Sequence, residues 1–312
     1  MTKKISIITP CYNEEDALYI CSKTIKNLFE TELKVYDYEH IICDNNSNKK
    51  TIKILREISS NDNKVKVILN AKNYGSAKST FNGIKNSTGD VVLLSFPVDM
   101  QDPAEKIPDM IKAWVDGFDF VVGCRDEREE FFVMKTIRKI YYIMLKKISI
   151  TEIPLNAGDF QLVDRKIINK MLETKDSYPF IRTLAFEYSE NFKTISYKWK
   201  KRKIGNSKDT LKDYINSAMN GLISVSDAPF RLILVAGFLI SLFSISYGIY
   251  AFFYNFFFQN ELGKGIPTII VSILIFSGLQ LLVLGFIGEY ISSIHKQIKK
   301  NIEINEKEKI NF

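Results

Sequence analysis

The sequence predicts an α/β domain with a largely parallel sheet, followed by a juxtamembrane amphipathic helix and a two-helix transmembrane hairpin. Three observations carry this reading. Short β-branched runs alternate with helix-spaced segments along residues 5–123. Two long stretches beyond residue 231 hold no charge. The basic charge is concentrated between them and the domain: residues 193–212 hold eight basic residues against one acidic, and the whole 312-residue chain has a formal net charge of +7. A mean hydropathy of −0.05 is therefore an average over unlike parts. At 46% hydrophobic, the chain has ample core material, which excludes a disordered protein.

The elements follow in order. Ile5–Thr9 is an apolar strand and Ala17–Leu28 has helical spacing. Glu39–Cys43 and Thr51–Ile58 repeat the pair, as do Val65–Leu69 with Ser76–Asn86. Val91–Ser95 is a fourth strand, Glu105–Trp114 a helix and Phe118–Gly123 a fifth strand. Asp102-Pro103-Ala104-Glu105 reads as an N-cap, an N1 proline and a glutamate at N3. Phe131–Ile148 is amphipathic and suits either the membrane surface or the domain. In a parallel α/β sheet ligands bind beyond the carboxyl ends of the strands. That singles out Pro10–Glu14, Asp44–Ser47, Asn70–Ser76, Phe96–Asp102 and Cys124-Arg125.

Several chemistries are excluded. No G-x-G-x-x-G follows the first strand and no G-x-x-x-x-G-K-[ST] occurs, which speaks against a dinucleotide fold and a P-loop. Cys11, Cys21, Cys43 and Cys124 form no C-x-x-C pair, and the chain has two histidines, so neither a zinc site nor a disulfide scaffold is expected. The apolar run after Lys4 is too short for a signal peptide, which keeps the N-terminal part in the cytosol.

Leu232–Phe258 runs 27 residues and Ile266–Gly288 a further 23 without a charge. A bilayer core needs about 20 helical residues. Arg231, Lys296, Lys299 and Lys300 flank the pair outside, against Lys264 in the connector, so both ends are expected in the cytoplasm. The chain thus divides into a globular domain (1–190), a basic juxtamembrane segment with an interfacial helix (191–227), the hairpin (228–290, spans about 232–256 and 266–288) and a charged, frayed cytosolic tail (291–312). The lysine run adjoins a membrane anchor and has few interleaved aromatics, so no nucleic-acid partner is expected.

The motif order resembles family 2 glycosyltransferases of the GT-A fold, in particular those that attach a sugar to polyisoprenyl phosphate. The resemblance rests on Ile8-Thr9-Pro10-Cys11-Tyr12-Asn13-Glu14-Glu15, Asp44-Asn45-Asn46-Ser47, Asn73-Tyr74-Gly75-Ser76 and Val98-Asp99-Met100-Gln101-Asp102-Pro103. It continues through Gly123-Cys124-Arg125, Gly158-Asp159-Phe160, Arg202-x-x-Gly205-x-Ser207-Lys208 and Gly285-Phe286-Ile287-Gly288-Glu289-Tyr290. It implies a nucleotide-sugar donor, a UDP-sugar ahead of a GDP-sugar, and an undecaprenyl or other polyisoprenyl phosphate acceptor. It further implies inverting transfer at the cytosolic face of the inner (plasma) membrane, in a multi-pass protein that associates with further copies.

The resemblance assigns roles. Pro10, Tyr12, Glu14, Asp44, Lys72 and Val98 would surround the nucleotide. Glu14 would accept a ribose hydroxyl or merely favour a helix N-terminus. Asp44 would accept the N3–H of a uracil-type base, or only form an Asx turn. Lys72 would lie near the diphosphate or on the surface. Asp99 and Gln101 would hold Mg²⁺ or Mn²⁺, hard ions that suit oxygen donors. The family usually places a first aspartate where this chain has Pro97, which removes one anionic ligand. Arg125, Arg202, Ser207 and Lys208 would bind donor or acceptor phosphate, and Arg128 would do so or belong to a solvated loop. Asp159 would act as a base or position the acceptor. A saccharide hydroxyl acceptor needs a base, and Pro97 also leaves a non-catalytic nucleotide-binding relative open.

Overall fold

A computed structural model describes residues 2–127, 153–154, 156–173, 181–199, single positions between 237 and 253, 266–298 and 304–312. The elements are β1 (Lys4–Cys11), α1 (Glu15–Thr31), β2 (Asp37–Asp44), α2 (Lys49–Asn61), β3 (Val65–Asn70), α3 (Ser76–Lys85), β4 (Val91–Leu93) and α4 (Ile107–Val115). Then come β5 (Phe120–Glu127), β6 (Ala157–Asp164), α5 (Arg165–Glu173), α6 (Ile181–Leu184), β7 (Phe192–Lys198), α7 (Ile266–Ile298) and β8 (Glu306–Ile310).

All eight strands form one sheet in the order β7-β5-β6-β4-β1-β2-β3-β8. β4, β1, β2 and β3 run parallel. Their residues alternate between two buried faces, so each strand reads as a continuous apolar run. Ile7, Ile42 and Val67 pack with Leu18, Ile25, Leu55 and Trp114 of α1, α2 and α4. Ile8, Ile41 and Ile68 pack on the other face with Ile84, Ile168 and Leu184 of α3, α5 and α6. The four cysteines are buried free thiols in these layers, and burial pushes that of Cys21 up to about 12.

The sheet is largely parallel, with β6 antiparallel to both β4 and β5, β8 antiparallel to β3, and β5 and β7 paired in parallel. Two expectations are corrected. Asp102 does not cap a helix. The turn of 3₁₀ helix at Ala104–Lys106 has Pro103 at its N-cap with no side-chain cap, and the buried Asp102 carboxylate pairs with Arg125 instead. A buried carboxylate needs a paired, hydrogen-bonded cation, and the two-pronged guanidinium supplies it. The C-terminal tail is not frayed: β8 lies antiparallel on β3, with Ile310 opposite Val67 and Glu308 opposite Leu69. Its charges suit an edge strand facing water.

The chain divides into two compact units, Met1–Gly221 with Asn301–Phe312, and Leu222–Lys300. In the second, the 33 residues of α7 are helical. Several of its side chains lie outside the described residues, and over the described ones no helix is long and apolar enough to cross a membrane. The first uncharged stretch is described only at single helical positions. Arg128, the amphipathic segments 131–148 and 211–225, and Arg202, Ser207 and Lys208 lie outside the described residues.

Candidate active site

The carboxyl ends of β1, β2 and β3 are joined through a web of asparagines. After β1, Asn13 adopts a left-handed φ of 53°, which asparagine tolerates. Its N–H donates to Ser47 Oγ at 2.8 Å, and its Oδ1 accepts from Asn48 N–H at 2.8 Å. After β2, Asn45 Oδ1 accepts from Tyr74 N–H at 2.9 Å, and Asn45 Nδ2 donates to Asn73 Oδ1 at 2.7 Å. The motifs after β1, β2 and β3 are thereby locked to one another.

Asp44 closes β2 and is fully buried (0% exposed). Its Oδ2 accepts from Ser47 N–H at 3.0 Å, so the Asx-type turn is real. Its Oδ1 is buried with no hydrogen-bond partner among the described residues. Burial raises the carboxyl above its ordinary range, against the pull of hydrogen bonds from the turn. A buried acceptor left unmatched is costly, and a ligand N–H would relieve it.

Glu14 occupies the N-cap position of α1 without a side-chain cap; Glu15 and Asp16 supply the acidic first turn. Tyr12 is exposed, Pro10 half-buried and Val98 buried. Lys72 places its ammonium 5.1 Å from the centre of the Tyr74 ring. After β4, Asp99 is half-buried and its Oδ1 accepts from Gln101 N–H at 3.2 Å.

Arg125 on β5 is committed to the protein. It donates from Nε and Nη2 to the two Asp102 oxygens at 3.2 and 3.0 Å, and its guanidinium lies 5.3 Å from the Trp199 ring centre. Tyr197 also donates to Asp102 Oδ1. Burial disfavours the charge on Arg125, but the Asp102 carboxylate overrides it and holds the group protonated. Gly158 leaves room for this side chain: a Cβ there would stand 3.4 Å from Arg125 Nε.

Asp159, on β6, accepts from Arg182 Nε and Nη2 at 3.0 Å each. Burial opposes its ionisation, yet the Arg182 guanidinium, seconded by Arg125, holds it below the ordinary carboxylate range. Arg182 was missed in the sequence because no motif surrounds it; a lone Asp159 in need of a cation was the available signal. Tyr197 was likewise unassigned, and Lys307 fell in the tail read as frayed.

Residues 6–172 match the profile of Glycosyl transferase family 2. The chain belongs to that family. This family 2 glycosyltransferase is 32% identical over 295 residues to the uncharacterized glycosyltransferase YkcC of Bacillus subtilis, covering 94% of this chain and 90% of that protein. It is 30% identical over 310 residues to a bactoprenol glucosyl transferase of Shigella phage SfV, covering 98% and 100%. The fold of glucosyl-3-phosphoglycerate synthase from Mycobacterium tuberculosis, solved with Mn²⁺, UDP-glucose and phosphoglyceric acid, superposes with a TM-score of 0.51 at 14% identity, over 71% of this chain and 78% of that one. That likeness places the transferase domain in the GT-A class of fold.

Among the described residues no group of three His, Cys, Asp or Glu is arranged to hold a metal. The segment after β4 instead offers the Asp99 carboxylate and the Gln101 amide oxygen, two hard donors, with Pro97 in place of a second carboxylate. Mg²⁺ and Mn²⁺ commonly take one or two protein carboxylates and complete their shell with substrate phosphate oxygens and water. The residues present fit such a substrate-completed site.

Proposed function

We propose that this glycosyltransferase moves a sugar, with inversion, from a UDP-sugar, or secondarily a GDP-sugar, to undecaprenyl or a related polyisoprenyl phosphate. The reaction is placed at the cytosolic face of the inner membrane, where the two uncharged stretches form a multi-pass hairpin with both termini cytosolic. The lipid-linked product would supply cell-surface glycan modification. The observation that supports this most is the end-to-end match to the phage SfV bactoprenol glucosyl transferase, which runs through both uncharged stretches and the basic segment before them.

The chemistry fits the geometry. Asp44 accepts the base N–H on its unmatched oxygen, and Glu14 takes a ribose hydroxyl. Asp99 and Gln101 would hold a divalent cation, which when bound would supply Lewis-acid stabilisation of the charge on the departing diphosphate. Arg202, Ser207 and Lys208, within the basic segment, receive the acceptor phosphate beside anionic lipid heads. A phosphate monoester has a second pKa of about 6, so its oxygen is a ready nucleophile at neutral pH. No strong base is required, and Asp159, pinned by Arg182, is a weak one. It orients the acceptor, which sets this reading above a saccharide hydroxyl acceptor.

The test is turnover of the full-length protein in detergent with a panel of UDP- and GDP-sugars, undecaprenyl phosphate and Mn²⁺. One sugar nucleotide is expected to yield a lipid-linked sugar. Absence of product across the panel overturns the reading.

A further inference from the structure

We propose that Lys307, on the C-terminal strand β8, reads the nucleotide base together with Asp44, so that the last strand of the sheet is a specificity element of the donor site. The inference rests on the reading of Asp44 as the residue that accepts from the base.

β8 is fastened at both ends. At its start, Ala71 N–H donates to the Asn305 carbonyl at 2.8 Å, and Asn305 N–H donates to Tyr74 Oη at 3.1 Å. Tyr74 is the residue whose N–H is held by Asn45, next to Asp44. Beyond the strand, Asn311 Nδ2 donates to the Ser59 and Val65 carbonyls at 2.7 and 2.8 Å. Arg56 and Glu308 pair at 2.6 Å alongside. Within this frame Lys307 Nζ donates to Asn46 Oδ1 at 2.8 Å. Asn46 is two residues from Asp44 and sits in the left-handed region at φ 64°. Burial raises the Asp44 carboxyl, and the Lys307 charge is one of the smaller influences that pull it back down.

The two side chains are chemically complementary. An ionised carboxylate only accepts, and an ammonium only donates. With Asp44 at the ring N–H and Lys307 reaching the neighbouring carbonyl, they would match the imide edge of uracil or the N1–H and O6 edge of guanine. With the ring nitrogen set opposite Asp44, cytosine and adenine would place a bare acceptor against the carboxylate and an amino group against the ammonium. A site built to bond one pattern rejects the other because its own polar groups are left unpaired.

The experiment is calorimetric binding of UDP, GDP, CDP and ADP to the full-length protein in detergent with Mn²⁺, for wild type, Lys307→Met, Lys307→Gln and Lys307→Arg. Wild type is expected to prefer UDP or GDP. Both neutral variants should weaken that nucleotide about tenfold, the scale of one charge-assisted hydrogen bond, and leave CDP and ADP unchanged. Lys307→Arg should keep most of the preference. A merely structural lysine that pins Asn46 would lower all four affinities together. Neutral variants whose preference over CDP and ADP equals that of wild type overturn the inference, as does a wild type that prefers CDP or ADP. A wild type that binds none of the four overturns the donor reading and this inference with it.

Discussion

Arg182 grips both carboxylate oxygens of Asp159, Nε to Oδ1 and Nη2 to Oδ2, at 3.0 Å each. The paired geometry fixes the plane of the carboxylate as well as its charge. Gln161 Nε2 donates to the carbonyls of both Gly158 and Arg182, at 2.9 and 2.8 Å, so the Gln161 side chain also ties β6 to the α6 backbone. The pair is therefore one unit carried by two elements.

A unit of this kind fails as a whole. Arg182→Gln is expected to lower kcat about 100-fold, the scale of misplacing a group by an ångström, with little change in donor KM. Asp159→Asn should do the same. The double variant should be no worse than either single one, because each already breaks the same pair. Steady-state kinetics on the three variants measures this, and additive losses would separate the two residues.

Arg125 makes a different prediction. Asp102 is 2% exposed and takes hydrogen bonds from Arg125 and Tyr197. Arg125→Met strands a buried carboxylate, which costs about 3–5 kcal/mol. Replacing both partners, Arg125→Met with Asp102→Leu, should recover most of the loss, since no buried charge remains. Chemical denaturation followed by tryptophan fluorescence reads both. A phosphate-binding Arg125 that adds nothing to folding would instead leave the single variant as stable as wild type.

The parallel half of the sheet was legible because each strand is buried on both faces. Ile7-Ile8 and Ile41-Ile42 read as uninterrupted apolar runs, and each is followed by a helix with one apolar face. β6 was hidden by Gly158, the partly exposed Asp159 and the buried Gln161, which interrupt its apolar run. β8 was hidden by its charges, since Glu-Lys-Glu-Lys-Ile reads as solvated tail until β3 supplies a partner. At the site, Asp44 closes β2 rather than following it, and Asp99 lies in the loop beyond β4. Asp102 followed a local capping pattern that a partner 23 residues away outcompetes. Local spacing reports loops that bind, but not which distant cation claims a carboxylate.

His40 gives the fold a pH dependence. Its Nε2 pairs with Thr9 Oγ1 at 2.8 Å, and burial lowers its pKa to about 4. An unfolded histidine titrates near 6.5. Between these values the unfolded state binds the proton and the native state does not, so stability falls as pH drops from about 6.5 to 4. The swing is on the order of 3 kcal/mol. His40→Gln should flatten the dependence over this window, as measured by urea midpoints from pH 4 to 7. An unchanged slope would assign the dependence to other groups.

Pro97 occupies the position where a second carboxylate would join Asp99. It is half-buried, and its carbonyl accepts Met100 N–H at 3.0 Å, a bond that any residue at 97 retains. Pro97→Asp therefore adds an anionic oxygen without removing a backbone contact. The added charge should lower the Mn²⁺ concentration for half-maximal binding about tenfold, one favourable ligand's worth. Asp99→Ala should abolish turnover and raise that midpoint, leaving Gln101 as the one protein donor. Titration of Mn²⁺ by electron paramagnetic resonance, in the presence of UDP, reads the midpoint apart from activity. A Pro97→Asp midpoint equal to wild type would place residue 97 away from the cation, and a wild-type midpoint in Asp99→Ala would remove Asp99 from the site.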